Sequence, residues 1–250
     1  MIGAVRLTVA DLDRLVAYYE RAIGLRVLAR DGDVVRMGAD TPLLELVGDP
    51  AAPPAPPRST GLFHFAVLVP SRAELARAVR RVADAGERFS GASDHLVSEA
   101  LYLRDPEGNG IEIYRDRPRG EWTWSGGELQ MDSLPLDLDG ILGELPANGD
   151  GGMAAGTVVG HVHLQVADLA PAEAFYAGEL GLDVTTRAAP GALFFSRDGY
   201  HHHIGVNTWA SRGGAPPPPG SRGLQWFEVA LPGDGLIEDP SGNRLLRRRL

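Results

Sequence analysis

The chain contains no cysteine, so it can form neither a disulfide nor a thiolate metal site. It also contains no lysine: all 24 basic residues are arginine. That excludes a Schiff-base mechanism and a phosphate-loop lysine. No apolar run reaches the ~18–20 residues that a membrane-spanning helix needs. The start, MIGAVRLTVADL, lacks the basic stretch and apolar core of a secretory signal, so the cytoplasm is the expected compartment, with no membrane partner. An excess of positive charge is missing too. The formal net charge is −9, which argues against nucleic acid as a partner because phosphate binding needs a basic face. The closing RRRL is short and reads as a solvated tail. A hydrophobic fraction of 44% and a charged fraction of 23% are those of an ordinary globular protein, and 250 residues suffice for two domains.

What the chain does have is internal repetition, the first thing to look for in a sequence of this length. GAVRLTVADL at 3–12 returns as GHVHLQVADL at 160–169. GLFHFAVLVP from Gly61 returns as GLQWFEVALP from Gly223, and DPEGNG from Asp105 as DPSGNR from Asp239. The order of these pieces defines four related modules, starting near Gly3, Gly61, Gly160 and Gly223. Each full module opens with alternating apolar residues, such as Val5, Leu7 and Val9, which predict a half-buried strand. A capped helix follows. Asp11 precedes Leu12, Leu15, Val16, Tyr19 and Ile23, with Gly24 as the stop; Ser71 and Glu74 form a capping box before Leu75, Val79 and Val82. Short strand-like runs such as VVRMG, LLELV and GIEIYRD complete the unit. The predicted class is α+β, built of repeated βαβββ modules that pair into curled mixed-sheet cups.

The predicted division is an N-terminal half at 1–115, a Gly- and Asp-rich linker at 116–156, and a C-terminal half at 157–250. Within the linker, MDSLPLDLDGILGEL could dock as a short helix or clip. Proline-rich AAPPAPPRS (51–59) and GGAPPPPGS (213–221) separate the modules within each half. The fourth module is truncated: LPGDGLIEDP runs from its first strand almost directly into the last turn, leaving no room for a helix.

The seven histidines are unevenly spread. His64 and His161 occupy the same repeat position, five residues before Val69 and Val166. Modules one and four carry Ala4 and Trp226 there, so the fold itself does not demand histidine. Glu112 lies between Ile111 and Ile113, and alternation turns it to the opposite face. A buried carboxylate is costly unless it is paired or metal-bound. Two imidazoles and one carboxylate form the facial set associated with Fe(II) and oxygen chemistry, which Mn(II), Zn(II) or Ni(II) can also occupy. This set forms if modules two and three pair. If modules one and two paired instead, Glu45 would join His64 and Glu112.

The strings GHVHLQVADL, GYHHHIGVNTW (199–209) and GASDHLVSEALYLRDPEGNGIEIYRDRP (91–118) resemble the vicinal-oxygen-chelate superfamily of glyoxalases, bleomycin resistance proteins and extradiol dioxygenases. Within it they are most similar to the two-domain, CatE-like catechol 2,3-dioxygenase group. The resemblance covers nearly the whole chain. It implies a metal-dependent extradiol dioxygenase that opens an aromatic diol with O2, as a monomer or homodimer. It implies metal ligands at His64, Glu112 and His161, with Fe(II) as the first choice of ion and Mn(II) as the second. It implies an acid/base histidine at His203 or His201, and polar groups beside the substrate at Tyr102 and His95. Strand alternation would put His201 and His203 on one face and His202 on the other. One departure stands out: the family's two-domain dioxygenases draw their ligands from the C-terminal half, whereas here they come from modules two and three. A glyoxalase-like isomerase or lyase on the same scaffold would bring Glu45 to the metal. A non-enzymatic binding protein would need no metal.

Overall fold

The alternating runs become strands, and each opening strand is followed by a helix wherever a capping signal stands behind it. The computed structural model describes residues 2–147, 151–187 and 189–248. Module one comprises β1 (Ile2–Val9), α1 (Leu12–Tyr18), β2 (Arg26–Asp31), β3 (Val34–Gly38) and β4 (Pro42–Gly48). The Asp11 side chain accepts from the Arg14 N–H to start α1. A π turn over Tyr19–Ile23 continues the helix, and Gly24 ends it at φ 87°, where a side chain would be strained. Module two repeats the plan with β5 (Gly61–Leu68), α2 (Arg72–Asp84), β6 (Gly91–Asp94), β7 (Ser98–Arg104) and β8 (Gly110–Asp116). Ser71 caps α2 by accepting from the Glu74 N–H.

The linker carries β9 (Trp124–Ser125), β10 (Glu128–Leu129) and α3 (Leu138–Gly143). The stretch from Met131 to Leu145 does dock. Leu134 bridges to Asp94, Ile141 is fully buried, and Arg72 of α2 pairs with Asp137 and Glu144. Module three follows with β11 (Val158–Gln165), α4 (Leu169–Glu173) and its own π turn, then β12 (Asp183–Thr186), β13 (Ala192–Ser196) and β14 (Ile204–Asn207). Module four has only β15 (Gly223–Val229), β16 (Gly235–Glu238) and β17 (Arg244–Arg247), with no helix among the described residues.

The pairing of modules is two with three and one with four. One mixed sheet runs β12-β13-β14-β11-β5-β8-β7-β6, and the other β16-β17-β15-β1-β4-β3-β2. In each, the opening strands of the two modules meet antiparallel at the centre, β5 against β11 and β1 against β15. The last strand of each module lies parallel to its first. The apolar faces of both sheets and the helices share one core that includes Leu7, Leu44, Phe65, Ile113, Val162 and Phe227.

Two equivalent clamps tie one sheet to the other. Asp105 folds its DPEGN turn by accepting from the Glu107 and Asn109 backbone N–H groups. Its other oxygen takes the buried Tyr19 hydroxyl at 2.8 Å, from the π turn of module one. Asp239 folds DPSGN in the same way and takes the Tyr176 hydroxyl at 2.9 Å, from the π turn of module three. Module four has lost its helix but keeps the turn that receives this hydroxyl. We expect Tyr19→Phe and Tyr176→Phe each to cost about 1.5–3 kcal/mol, the range for a buried hydrogen bond to a charged group. The losses should add in the double variant, since the sites share no partner; urea unfolding of the single and double variants measures this.

Candidate metal centre and its cavity

The antiparallel junction of β5 and β11 sets the site. His163 lies opposite His64, and His161 opposite Ala66. On the other side of β5, Ala66 lies beside Glu112 of the parallel strand β8. Ala66 thus stands between His161 and Glu112, and its methyl group is small enough for those two side chains to meet above it. The close approach of β8 depends on Gly110, where a Cβ would come within 2.0 Å of the Phe63 carbonyl oxygen.

Three donor atoms converge there. His64 Nε2 and His161 Nε2 lie 2.9 and 3.1 Å from the same Glu112 oxygen and 3.4 Å from each other. All three side chains are buried. Ligands held at about 2.0–2.2 Å on adjacent positions of a common ion lie about 3 Å apart, so the spacing of these donors fits one divalent ion held on one face. The chemistry of the set fits as well. Burial drives the His161 pKa down to about 4, which leaves a neutral imidazole with a lone pair to give. Burial would push Glu112 up, but its contacts with His161 and His64 outweigh this and hold it well below the usual carboxylate range.

A cavity of about 560 Å³ opens above the donors. His64, Glu112, His95, Tyr102, His163 and His202 line its polar part. His95 and Tyr102, which the resemblance makes polar groups beside the substrate, are hydrogen-bonded to each other on the cavity lining. The Asp132 carbonyl takes the His95 Nδ1 proton at 2.7 Å, so in neutral His95 the Nε2 accepts from the Tyr102 hydroxyl, also at 2.7 Å. Burial, with Glu112 nearby, raises the Tyr102 pKa well above its ordinary value, so the hydroxyl keeps its proton. The docked linker closes this side of the cavity with Met131, Asp132 and Ser133.

The histidine triplet is arranged differently from strand alternation. Residues 201–203 precede β14 and bend, so the two-residue period does not reach them. His202 lines the cavity and stacks on His161, with ring centroids 4.1 Å apart. His201 lies behind it: its Nδ1 is 2.8 Å from His202 Nδ1 and its Nε2 is 2.9 Å from the Asp116 carboxylate. His203 is half-buried away from the cavity lining, stacked on Tyr200 at 4.7 Å, with Nδ1 accepting from the Arg197 N–H. Burial lowers the pKa of His202 far below its ordinary value and that of His203 to about 3. Sequence reasoning did not single out His202, nor His163. The signal for His163 was present: it lies two residues after His161, on the same strand face. It is buried against His64 at a centroid distance of 5.0 Å, and its Nε2 has no hydrogen-bond partner among the described residues.

Glu45 does not come to this centre. It is the register equivalent of Glu112 in the other sheet, lying beside Arg6 as Glu112 lies beside Ala66. Both Arg6 and Arg36 bond its carboxylate, and the Arg6 guanidinium also lies over the Trp226 ring. The pairing of modules one and two, and with it the cluster of Glu45, His64 and Glu112, is therefore excluded by the strand order.

Fold and site together define a βαβββ-module protein with a buried two-histidine, one-carboxylate centre in one of its two cups. Comparison with known proteins agrees. Residues 1–113 match the Glyoxalase/Bleomycin resistance protein/Dioxygenase superfamily. The chain is 43% identical over 236 residues to a catechol-2,3-dioxygenase of Bacillus subtilis (strain 168), covering 92% of this chain and 82% of the relative. Among solved structures, glyoxalase I of Zea mays superposes with a TM-score of 0.58 at 14% identity, over 99% of this chain and 92% of that one. The cppA protein of Streptococcus pneumoniae TIGR4 superposes with a TM-score of 0.58 at 9% identity, over the whole of both. The two structures speak for the fold alone. The chain belongs to the Glyoxalase/Bleomycin resistance protein/Dioxygenase superfamily. It is an oxidoreductase of the extradiol dioxygenase class and takes a metal cofactor. None of the described helices is long and apolar enough to cross a membrane.

Two outcomes are expected of the centre. His161→Ala should lose the metal that co-purifies with the wild-type protein, read by elemental analysis, with retention of the fold checked by circular dichroism. In the metal-free protein, the unfolded chain binds protons at His161 between pH 6.5 and about 4 that the folded chain refuses. Stability should therefore fall as pH is lowered through that window, by up to about 1.4 kcal/mol per pH unit for each histidine so affected. Denaturant unfolding at a series of pH values measures the slope.

Proposed function

We propose that this protein opens the ring of a catechol- or hydroquinone-type aromatic diol with O2, using Fe(II) bound by His64, Glu112 and His161. Mn(II) is the other ion in keeping with this donor set. The observation that carries the reading is the convergence of two imidazoles and a carboxylate, 2.9–3.4 Å apart, at the base of a partly closed cavity. A catechol-2,3-dioxygenase as the 43% identical relative supports the same substrate class. When bound, the metal would acidify the diol hydroxyls and hold the diol beside O2.

The chain's own residues would then manage the protons. The Asp116 carboxylate accepts from His201 Nε2–H, so His201 Nδ1 accepts from His202 Nδ1–H. That leaves His202 Nε2 without a proton, ready to take one from a diol hydroxyl and return it later. The resemblance to related enzymes pointed to His203 or His201 as this acid/base; the geometry favours His202 in the role, with His201 as its positioning residue. Tyr102, whose one proton goes to His95 Nε2, would present its oxygen as a hydrogen-bond acceptor for a diol hydroxyl from the other side. In the net reaction a ring carbon–carbon bond next to one hydroxyl breaks and both atoms of O2 enter the product. The ring-opened aldehyde acid formed from catechol has the composition of diol plus O2, and no external reductant is consumed.

The test uses anaerobically purified, Fe(II)-loaded protein and an oxygen electrode. One O2 should disappear per diol, with a yellow conjugated product. His202→Ala should lower kcat by about 10²–10⁴, the usual worth of a positioned acid/base. Absence of oxygen uptake with every catechol and hydroquinone tried, at full iron occupancy, would overturn the proposal.

A further inference from the structure

We infer that the natural diol is uncharged and carries a bulky apolar substituent, which packs against an aromatic wall formed by Phe63, Phe194 and Trp209. The inference rests on the diol-cleaving reading above and names the substrate class within it.

Size is the first observation. A cavity of about 150 Å³ is enough to hold benzene, whereas this one measures about 560 Å³. A bare catechol would leave most of it to water. The wall is the second. Trp209 is 53% exposed, yet it is pinned rather than loose. Its indole N–H donates to the Pro190 carbonyl at 2.8 Å, and its backbone N–H to the Asn207 side chain. A Cβ on Gly191 would lie 3.2 Å from the indole, so glycine at that position gives the ring its seat. The ring meets Phe63 edge-on at 5.4 Å, while Phe194 packs on His163 at 5.7 Å and on His202 at 4.8 Å. An exposed indole held at a cavity mouth by two hydrogen bonds and a glycine forms a ready contact for an apolar group.

Charge is the third. No arginine lines the cavity among the described residues, and the chain has no lysine. The charged lining residues are Glu112, in the metal set, and Asp132, at the linker side. A carboxylate on that substituent would meet no arginine or lysine side chain among the described lining residues, an uncompensated desolvation. The three aromatic rings offer a substituent much area and no charge partner.

The test compares four diols on the Fe(II)-loaded enzyme: catechol, 4-butylcatechol, 3,4-dihydroxybenzoate and the ammonium-bearing dopamine. The expected kcat/KM is at least tenfold higher for 4-butylcatechol than for catechol, and at least a hundredfold lower for 3,4-dihydroxybenzoate than for 4-butylcatechol. Trp209→Ala should bring the butylcatechol-to-catechol ratio to near one, and Trp209→Phe should restore part of it. Binding of the same diols is measured anaerobically by titration calorimetry. If no diol is consumed, the ring-cleaving reading fails while the binding preference is still read. Equal binding of all four, a preference for the carboxylate or the ammonium diol, or a ratio that Trp209→Ala leaves unchanged would overturn the inference.

Discussion

The antiparallel contact between β5 and β11 is the interaction on which the rest of the molecule turns. It joins module two to module three and puts His161 across from Ala66, one strand away from Glu112. Each donor comes from a different strand, at residues 64, 112 and 161, so no local segment could assemble the centre. The same contact creates the cavity. Beyond β11, β13 brings Phe194 and the bend before β14 brings His202; beyond β5, β7 brings Tyr102 and the turn after β6 brings His95. The linker then closes the side over His95, held by the Asp94–Leu134 bridge and the hydrogen bond to the Asp132 carbonyl.

One structural position is used twice, with opposite solutions to one electrostatic problem. Glu112 and Glu45 both sit buried on the last strand of their modules, at equivalent registers. A carboxylate in such a place must be compensated. At Glu45 the compensation is built into the chain: Arg6 occupies the place that Ala66 holds in the other sheet, and Arg36 faces Glu45 across the β3–β4 pair as Tyr102 faces Glu112. At Glu112 the neighbours are imidazoles and a phenol, which leave a site for a cation. The carboxylate of the first cup is closed off by two arginines, and that of the second faces imidazoles and a phenol. The divergence explains why one sheet can lose a helix and a strand without touching the site.

That loss is tolerated for a second reason. The DPSGN turn keeps its aspartate, which holds the Tyr176 hydroxyl from module three. The truncated module therefore still anchors its neighbour, as the DPEGN turn anchors Tyr19. The β15–β1 pairing supplies the other support, and the shared core reaches Phe227, Val229 and Leu245.

The sequence by itself determined the modules, their helix starts and the residue types that meet at the β5–β11 junction. Those features are local or repeated: Asp11 and Ser71 cap their own helices, and a histidine at one repeat position and not another is visible on the page. It also showed that modules one and four lack the histidine, because Ala4 and Trp226 stand there. Which modules pair was an expectation in the sequence, where the two-three pairing was favoured because modules one and four lack the histidine; the strand order of the packed sheets decided it. The tertiary structure alone decided the fate of Glu45, whose partners Arg6 and Arg36 are cross-strand neighbours. It also decided the histidine triplet, because strand alternation predicts directions only inside a strand, and residues 201–203 bend before theirs begins. His163 falls between the two: its face was legible from its spacing to His161, but its burial with an unpartnered nitrogen came only with the closing of Phe63, Phe194 and Trp209 around it.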